Sequence, residues 1–461
     1  MHLSLKFQLV NKEIFERQLM TVCSEENLEF PALKTGSTRR KIEFQFSGGE
    51  VTSDGGVLLL RDIDNKLGLT KEFAKHIPDP RNPAFIQHTI LEMVRQRVLS
   101  LCLGYEDLND QLTLRRDTAI QTAVETDSDL ASPSTLCRFE NRGDRNTAIA
   151  CHKIFFDQFV ASQKAVPTEL ILDFDATDDI VHGNQVGRFF NGYYDNYCFL
   201  PLYVFCGDQM LASYLRSSNI DGAKHAWAIA ALLVKALRKK WPDVKIIFRG
   251  DSGFCRQRML TWFEKNNVSY IVGMPSNAAI KRLTTDLILL AEAEFKATSI
   301  KQKLFSETKY AAKTWATERR VIVKAEFSEL GDNTRYVVTN LDGTAQELYE
   351  KVYCGRGEME NRIKEQQLDL FADRTSCHDW WPNQFRVLLS SLAYILMETI
   401  RREYLQKTEL AQATVGTLRL KLLKIGAVVV RNTRRIKLFF SSHYPYQSLF
   451  LNLVKSLAST A

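Results

Sequence analysis

Two stretches decide the fold: ELILDFDAT at 169–177 and VKIIFRGD at 244–251. Each is a short apolar run that ends in acids, and each reads as a buried strand. Between and after them, 198–205 and 210–215 read as further strands, 221–240 as an apolar-faced helix ended by Pro242, 255–267 as a helix and 269–273 as a strand. Strands first, then alternating helix and strand, imply an α/β arrangement: a mixed sheet flanked by helices. Carboxylates at the carboxyl ends of strands stand where open α/β sheets place their ligands. Asp175 and Asp251 both hold that position, and adjacent strands would bring them to one point. Alternation puts Asp173 on the same face as Asp175, so sequence leaves both open as the first acid. Asp175 is nearer the strand end and is preferred. Asp173 and Thr177 are then its supporting neighbours.

Working outward, residues 1–40 read as a flexible N-terminal segment and 41–165 as a mainly helical domain. Within it, 41–47 alternates as a short strand, GGEVTSDGG at 48–56 is rich in turn formers, and 86–103 has helical apolar spacing. Ser132 followed by Pro133 marks a helix start. Residues 166–295 carry the first part of the sheet. Residues 296–350, with RRVIVKAEF at 319–327 and RYVVTN at 335–340, read as a small β-rich insertion. Residues 351–405 return to strong helices, and 406–461 form a basic C-terminal region.

The helix at 351–367 supplies a third acid. Tyr353, Arg356, Glu360, Lys364 and Gln367 recur every three or four residues and share one face. A face of Tyr, Arg, Glu and Lys is a poor core stripe. Its ordinary explanation is a solvated surface with weak ion pairs of about 0.3–0.5 kcal/mol each. Its chemical explanation is a site for phosphodiester attack. That reaction needs one oxygen activated and another stabilised as it leaves, which two Mg²⁺ (or Mn²⁺) ions held by carboxylates can supply. Asp175, Asp251 and Glu360 form such a set. Arg356 and Lys364, one turn either side of the Glu, would grip flanking phosphates.

These motifs resemble the DDE transposases of bacterial insertion sequences, in the insertion-sequence-4 superfamily. Its signature around the catalytic Glu is Tyr, two residues, Arg, three residues, Glu, six residues and Lys. Tyr353, Arg356 and Glu360 match in type and spacing, and Gln367 stands where the signature has Lys; the resemblance makes Tyr353 and Gln367 candidate DNA contacts beside Arg356 and Lys364. LDFDAT (172–177) and IFRGDSGF (247–254) resemble the first and second Asp motifs. GRFFNGYYDNYCFLPLYVFCGD (187–208) and GYEDLND (104–110) resemble the insertion-sequence-1380 subgroup. The resemblance implies an RNase H-like core, whose adjacent first and fourth strands carry the two Asp residues, with a β-rich insertion before the Glu. It also implies binding to double-stranded DNA at terminal inverted repeats, through the helical domain at 41–165 with help from the basic C-terminal region, and at target sites, and a homodimer working on paired ends. Trp315, in the insertion, is a candidate to stack on an unpaired base; packing in a small β domain is its ordinary explanation.

Composition agrees with this reading. The chain has 461 residues, 45% hydrophobic and 25% charged, enough for several domains of a globular protein. No apolar run is long enough for a membrane span. The first twenty residues do not read as a secretory leader, so the expected compartment is the bacterial cytoplasm, at the nucleoid. Nine dispersed cysteines form no Cys-x-x-Cys pair, which argues against a zinc site. The net charge is +7, and ten Lys or Arg fall between Arg401 and Lys437. Arg431, Arg434 and Arg435 in that run are candidate phosphate contacts. The rival readings are a transposase-derived DNA-binding protein without catalysis and another RNase H-like nuclease.

Overall fold

The computed structural model describes residues 28–35 and 38–459, with side chains from Phe44 onward. Residues 1–27 of the expected flexible segment lie outside the described residues. At the centre, Glu169–Ala176 buries Leu170, Leu172 and Phe174 on one face of a sheet. The equivalent side chains of Lys245–Gly250, Ile246 and Phe248, continue that face. The helices Ala226–Lys240 and Gln257–Lys265 cover it, with Phe248 packed 4.6 Å from Phe263. The alternate residues, Ile171, Asp173 and Asp175, point to the other face, as a two-residue period requires.

The strands run in the order Gln302–Tyr310, Arg319–Ser328, Arg335–Thr339, Ser269–Met274, Lys245–Gly250, Glu169–Ala176, Leu202–Cys206 and Gln209–Tyr214, with Gly331–Asp332 beside Arg319–Ser328. Lys245–Gly250 is parallel to both its neighbours, and the other pairings are antiparallel. The α/β mixed sheet expected from sequence is therefore present. The expected strand at 198–205 is two strands, Asn196–Phe199 and Leu202–Cys206, because Pro201 cannot continue the ladder.

The β-rich stretch at 296–350 is built onto the central sheet. Its strand Arg335–Thr339 pairs with Ser269–Met274, so the segment extends the central sheet and covers what would be an open edge. Ahead of it, Thr285–Thr298 is helical.

The N-terminal helices and the C-terminal segment share one core. Residues of Val57–Leu67, Ile90–Leu103 and Arg145–Ser162 pack with those of Trp380–Thr399 and Gln447–Ser459. The sheet joins this core through Tyr203, Phe205 and Met210, with Phe205 edge-on to Tyr394 at 5.6 Å. Local signals start these helices where the sequence suggests. Ser132 accepts from the Thr135 amide ahead of Pro133, and Thr89 and Glu92 form a reciprocal cap for Ile90–Leu103. At the start of the described chain, Leu28–Thr35 and Thr38–Phe44 pair as a hairpin, where sequence suggests a loose segment and a strand at 41–47. Val51–Thr52 pairs with Ala427–Asn432, closing N- and C-terminal parts together. Among the described residues no helix is long and apolar enough to cross a membrane.

Candidate active site

The parallel register of the two central strands aligns Asp173 with Arg249 and Phe174 with Gly250. The next step along both chains brings Asp175 beside Asp251, at the carboxyl ends of neighbouring strands. Asp251 ends its strand by accepting from the Gly253 amide at 2.9 Å, which caps the short turn Ser252–Phe254. Asp175 accepts from the Ala176 amide at 2.9 Å with one oxygen. Its other oxygen takes a 2.9 Å hydrogen bond from Arg356.

Arg356 comes from a helical run that crosses this end of the sheet. The run changes winding: wide at Leu348–Tyr353, tight at Cys354–Arg356, α-helical at Gly357–Lys364 and wide again at Glu365–Asp369. Such changes are frequent at functional sites, where they re-aim side chains. The Arg356 guanidinium forks between Asp175 and Glu360. Tyr353 lies over Gly273, where an added Cβ would stand 2.6 Å from its hydroxyl and 2.8 Å from the Ser252 amide nitrogen. Glycine at 273 thus allows the helix and the Asp251 turn to meet. Gln367 donates to the Asp178 carbonyl at 2.9 Å, tying the helix to the loop beyond Asp175. Lys364 is exposed, and Glu360 pairs with Arg356 instead of with Lys364.

The neighbour across the register separates Asp173 from Asp175. Asp173 is 2% exposed, and both its oxygens accept from Arg249. Arg249 also donates to the Val352 carbonyl, which fastens the helical run to the strand. Asp175, one pleat further, meets Arg356 and the other two acids. Burial pushes its carboxyl up to about 7; Arg356 opposes this, while Asp251 and Glu360 add to it. Burial also works against charge on Arg356, but Asp175 and Glu360 outweigh it and hold the guanidinium protonated. Thr177 pairs its amide with the Pro201 carbonyl at 3.3 Å.

The donor set suits a hard divalent cation, since carboxylate oxygens on strand ends and a helix are its usual protein ligands. Asp175 and Glu360 share one guanidinium and Asp251 has none, so negative charge is left for a further cation to offset. Among the described residues, no three His, Cys, Asp or Glu stand close enough to enclose an ion as arranged. Arg356 spans the space between Asp175 and Glu360.

Other sequence candidates lie elsewhere. Trp315 sits in the turn between Gln302–Tyr310 and Arg319–Ser328. The registers Arg320↔Thr339 and Ile271↔Thr339 put that turn at the end of the sheet where Ser269–Met274 begins, opposite to Asp251. There Trp315 packs edge-on to Tyr310 at 5.9 Å, with Arg319 4.9 Å over its ring. Arg434 and Arg435 are exposed at the tip of the hairpin Ala427–Asn432/Arg435–Phe440, while Arg431 approaches Asp127 at 3.3 Å. The basic C-terminal run is not one face. Arg401 pairs with Glu365, Arg402 with Glu398, and Lys424 with Asp54, and Arg419 donates to the Cys102 carbonyl. Two residues at the site escaped the sequence reading. Arg249 was visible only as the residue before Gly250-Asp251. Tyr194, whose hydroxyl donates to the Ala176 carbonyl at 3.3 Å, lies in an aromatic-rich stretch with no helical or strand period to mark it.

Residues 34–461 match the family model described as transposase DDE domain group 1. No curated protein matches the chain. Eight chains of solved structures do. One belongs to a cryo-EM structure of the piggyBac transposase synaptic complex with hairpin DNA, at 9% identity and a TM-score of 0.35, covering 86% of this chain and 89% of that one. The family match runs over nearly the whole chain and includes both strand-end acids and the Glu360 helix; the protein belongs to the group 1 DDE transposases.

Proposed function

We propose that this protein is the transposase of a bacterial insertion sequence, close to the insertion-sequence-1380 subgroup of the insertion-sequence-4 superfamily. It cleaves DNA at the element's terminal inverted repeats and transfers the freed 3′-hydroxyl into target DNA, as a homodimer on paired ends. Asp175, Asp251 and Glu360 are the triad. The observation that carries this is the parallel register that sets Asp251 beside Asp175, with Arg356 linking Glu360 to Asp175. The order Gln209–Tyr214, Leu202–Cys206, Glu169–Ala176, Lys245–Gly250, Ser269–Met274 supports an RNase H-like core, since the first strand lies against the fourth.

Asp175, Asp251 and Glu360 would hold two Mg²⁺ or Mn²⁺ ions, whose chemistry when bound is to activate the attacking oxygen and stabilise the leaving one. The chain's own part is positioning. The paired strand ends orient two carboxylates at a scissile phosphate. Arg356 and Lys364 supply cationic donors to its neighbours. Tyr353 and Gln367 keep the helix seated on the Asp251 turn and on the Asp178 loop.

A plasmid carrying the element's ends tests this. With a divalent cation the wild-type protein nicks it and Asp251→Ala does not; equal cutting by both overturns the assignment. A product covalently joined to target DNA separates transposition from other RNase H-like nucleases. Gln367, engaged with a backbone carbonyl where the family signature has Lys, favours a second reading as a non-catalytic DNA-binding derivative. Under that reading wild type and variant are equally inert.

A further inference from the structure

Beyond Ala176 the chain runs directly into a small sheet: Asp179–Ile180 pairs with Asn196–Phe199, which pairs with Phe189–Asn191. This sheet has a firm base. Phe199 is fully buried and packs edge-on to Trp380 at 5.3 Å, and the Asp179 carboxyl accepts from Thr375 at 2.9 Å. Its tip is tied to the acid cluster, because the Tyr194 hydroxyl bonds the carbonyl of the residue after Asp175.

The outer surface is unlike its base. Phe190 and Tyr197 are cross-strand partners, edge-on at 5.6 Å, and each is about half exposed (52% and 51%). Tyr193 is 88% exposed, standing edge-on to Tyr194 at 4.9 Å. Arg188 lies 4.6 Å over the Tyr197 ring. Contiguous exposed aromatics on a braced hairpin mark a contact surface. Aromatic faces interleaved with an arginine are the chemistry that receives unpaired bases and the phosphates between them. Bases stacked inside a duplex offer no free face to such rings, so the occupant must be single-stranded. The surface is continuous, through Tyr194, with the place where a phosphodiester would be cut.

We propose that the hairpin Phe189–Phe199 is a stacking platform for unpaired nucleotides next to the cleaved phosphate, with Phe190, Tyr193 and Tyr197 receiving bases and Arg188 their backbone. This rests on the catalytic reading of the acids, yet it is tested without catalysis.

In metal-free buffer, full-length protein is titrated against a duplex with a single-stranded tail carrying 2-aminopurine, and against the same duplex made blunt. Wild type prefers the tailed DNA and quenches the probe. Phe190→Ala/Tyr193→Ala loses at least about fivefold of that preference, as expected when two rings no longer stack on bases. It binds blunt duplex as before and keeps its thermal midpoint, since both side chains are on the surface. Phe190→Tyr/Tyr193→Phe retains the preference. Unchanged preference in the alanine variant, no preference in wild type, or an equal loss on blunt duplex overturns the proposal. So does a change in oligomeric state of the alanine variant, which would make the patch an interface between copies. Asp251→Ala is carried alongside: if it still nicks plasmid the catalytic reading fails, while its tailed-DNA preference reports on the platform separately.

Discussion

Replacing Asp173 by Asn should destabilise the protein, and replacing Asp175 by Asn should inactivate it. Asp173 is 2% and Arg249 8% exposed, and the guanidinium holds both carboxylate oxygens. An amide at 173 leaves Arg249 buried with a neutral acceptor and the Val352 carbonyl. Removing one partner of a buried pair costs about 3–5 kcal/mol, because the other charge stays in the interior. For a chain of 461 residues that corresponds to a fall in thermal midpoint of about 3–5 °C. Burial raises both carboxyls, but Arg249 answers Asp173 directly, whereas the neighbours of Asp175 include two further acids and its carboxyl is pushed up to about 7. A raised carboxyl means that the folded state holds its proton more tightly than the unfolded chain. The cost of ionising it is absent below about pH 4 and fully present above about pH 7. Asp175→Asn removes that cost, so at pH 8 in metal-free buffer it unfolds no earlier than wild type, while plasmid nicking is lost. Thermal unfolding and nicking are measured on both variants and on Asp173→Leu/Arg249→Met. The double variant should regain most of the loss, because a packed apolar pair replaces a buried ion pair at little net cost. If Asp173→Asn is as stable as wild type, or if Asp175→Asn shows the larger loss of stability, the assignment of the two roles is refuted.

Gly273→Ala should lose about 1–3 kcal/mol and most activity, since the new methyl meets the Ser252 backbone and the Tyr353 hydroxyl. Gly357→Ala, at a helical position with nothing within 4 Å, should instead gain about 0.5–1 kcal/mol; both are read by urea unfolding. Glu398 is buried in Trp380–Thr399, and burial pushes it up to about 7 against Arg402. Its contribution to stability therefore declines as pH rises from about 5 to 8, and Glu398→Gln should flatten that part of the profile; a parallel profile would show that it does not titrate there. Arg434→Ala/Arg435→Ala should lower the log-log salt slope of duplex binding by about 0.9 for each phosphate no longer neutralised. An unchanged slope would remove this hairpin tip from the DNA interface.

Much of the sheet and the acid positions was legible in the chain itself. ELILDF and VKIIFR are strands because period-two burial is written in consecutive residues, and acids at their ends are visible without a partner. The spacing of Tyr353, Arg356, Glu360 and Gln367 likewise predicts one face of a regular helix, while the changes of winding along the run are not written in that spacing. The helix starts at Thr89 and Ser132 follow from side chains that satisfy amides three residues away.

What lies across a strand or beneath a helix is not local, and there only the tertiary structure decided. Asp173 and Asp175 are equivalent by alternation; they differ because the parallel register sets Arg249 beside one and opens the other toward Arg356. The strands of 296–350 carry no mark of their destination. They join the central sheet because Ser269–Met274 offers an unpaired edge. The basic run after Arg401 disperses into separate ion pairs, because each side chain answers to the acid nearest in space. Trp315 and Tyr194 are placed for the same reason: register carries the one to the far end of the sheet, and the turn beyond the Asp175 strand carries the other to the acids. Periods of two and 3.6 residues belong to the covalent chain, whereas register and edge pairing belong to segments that meet only in the folded molecule.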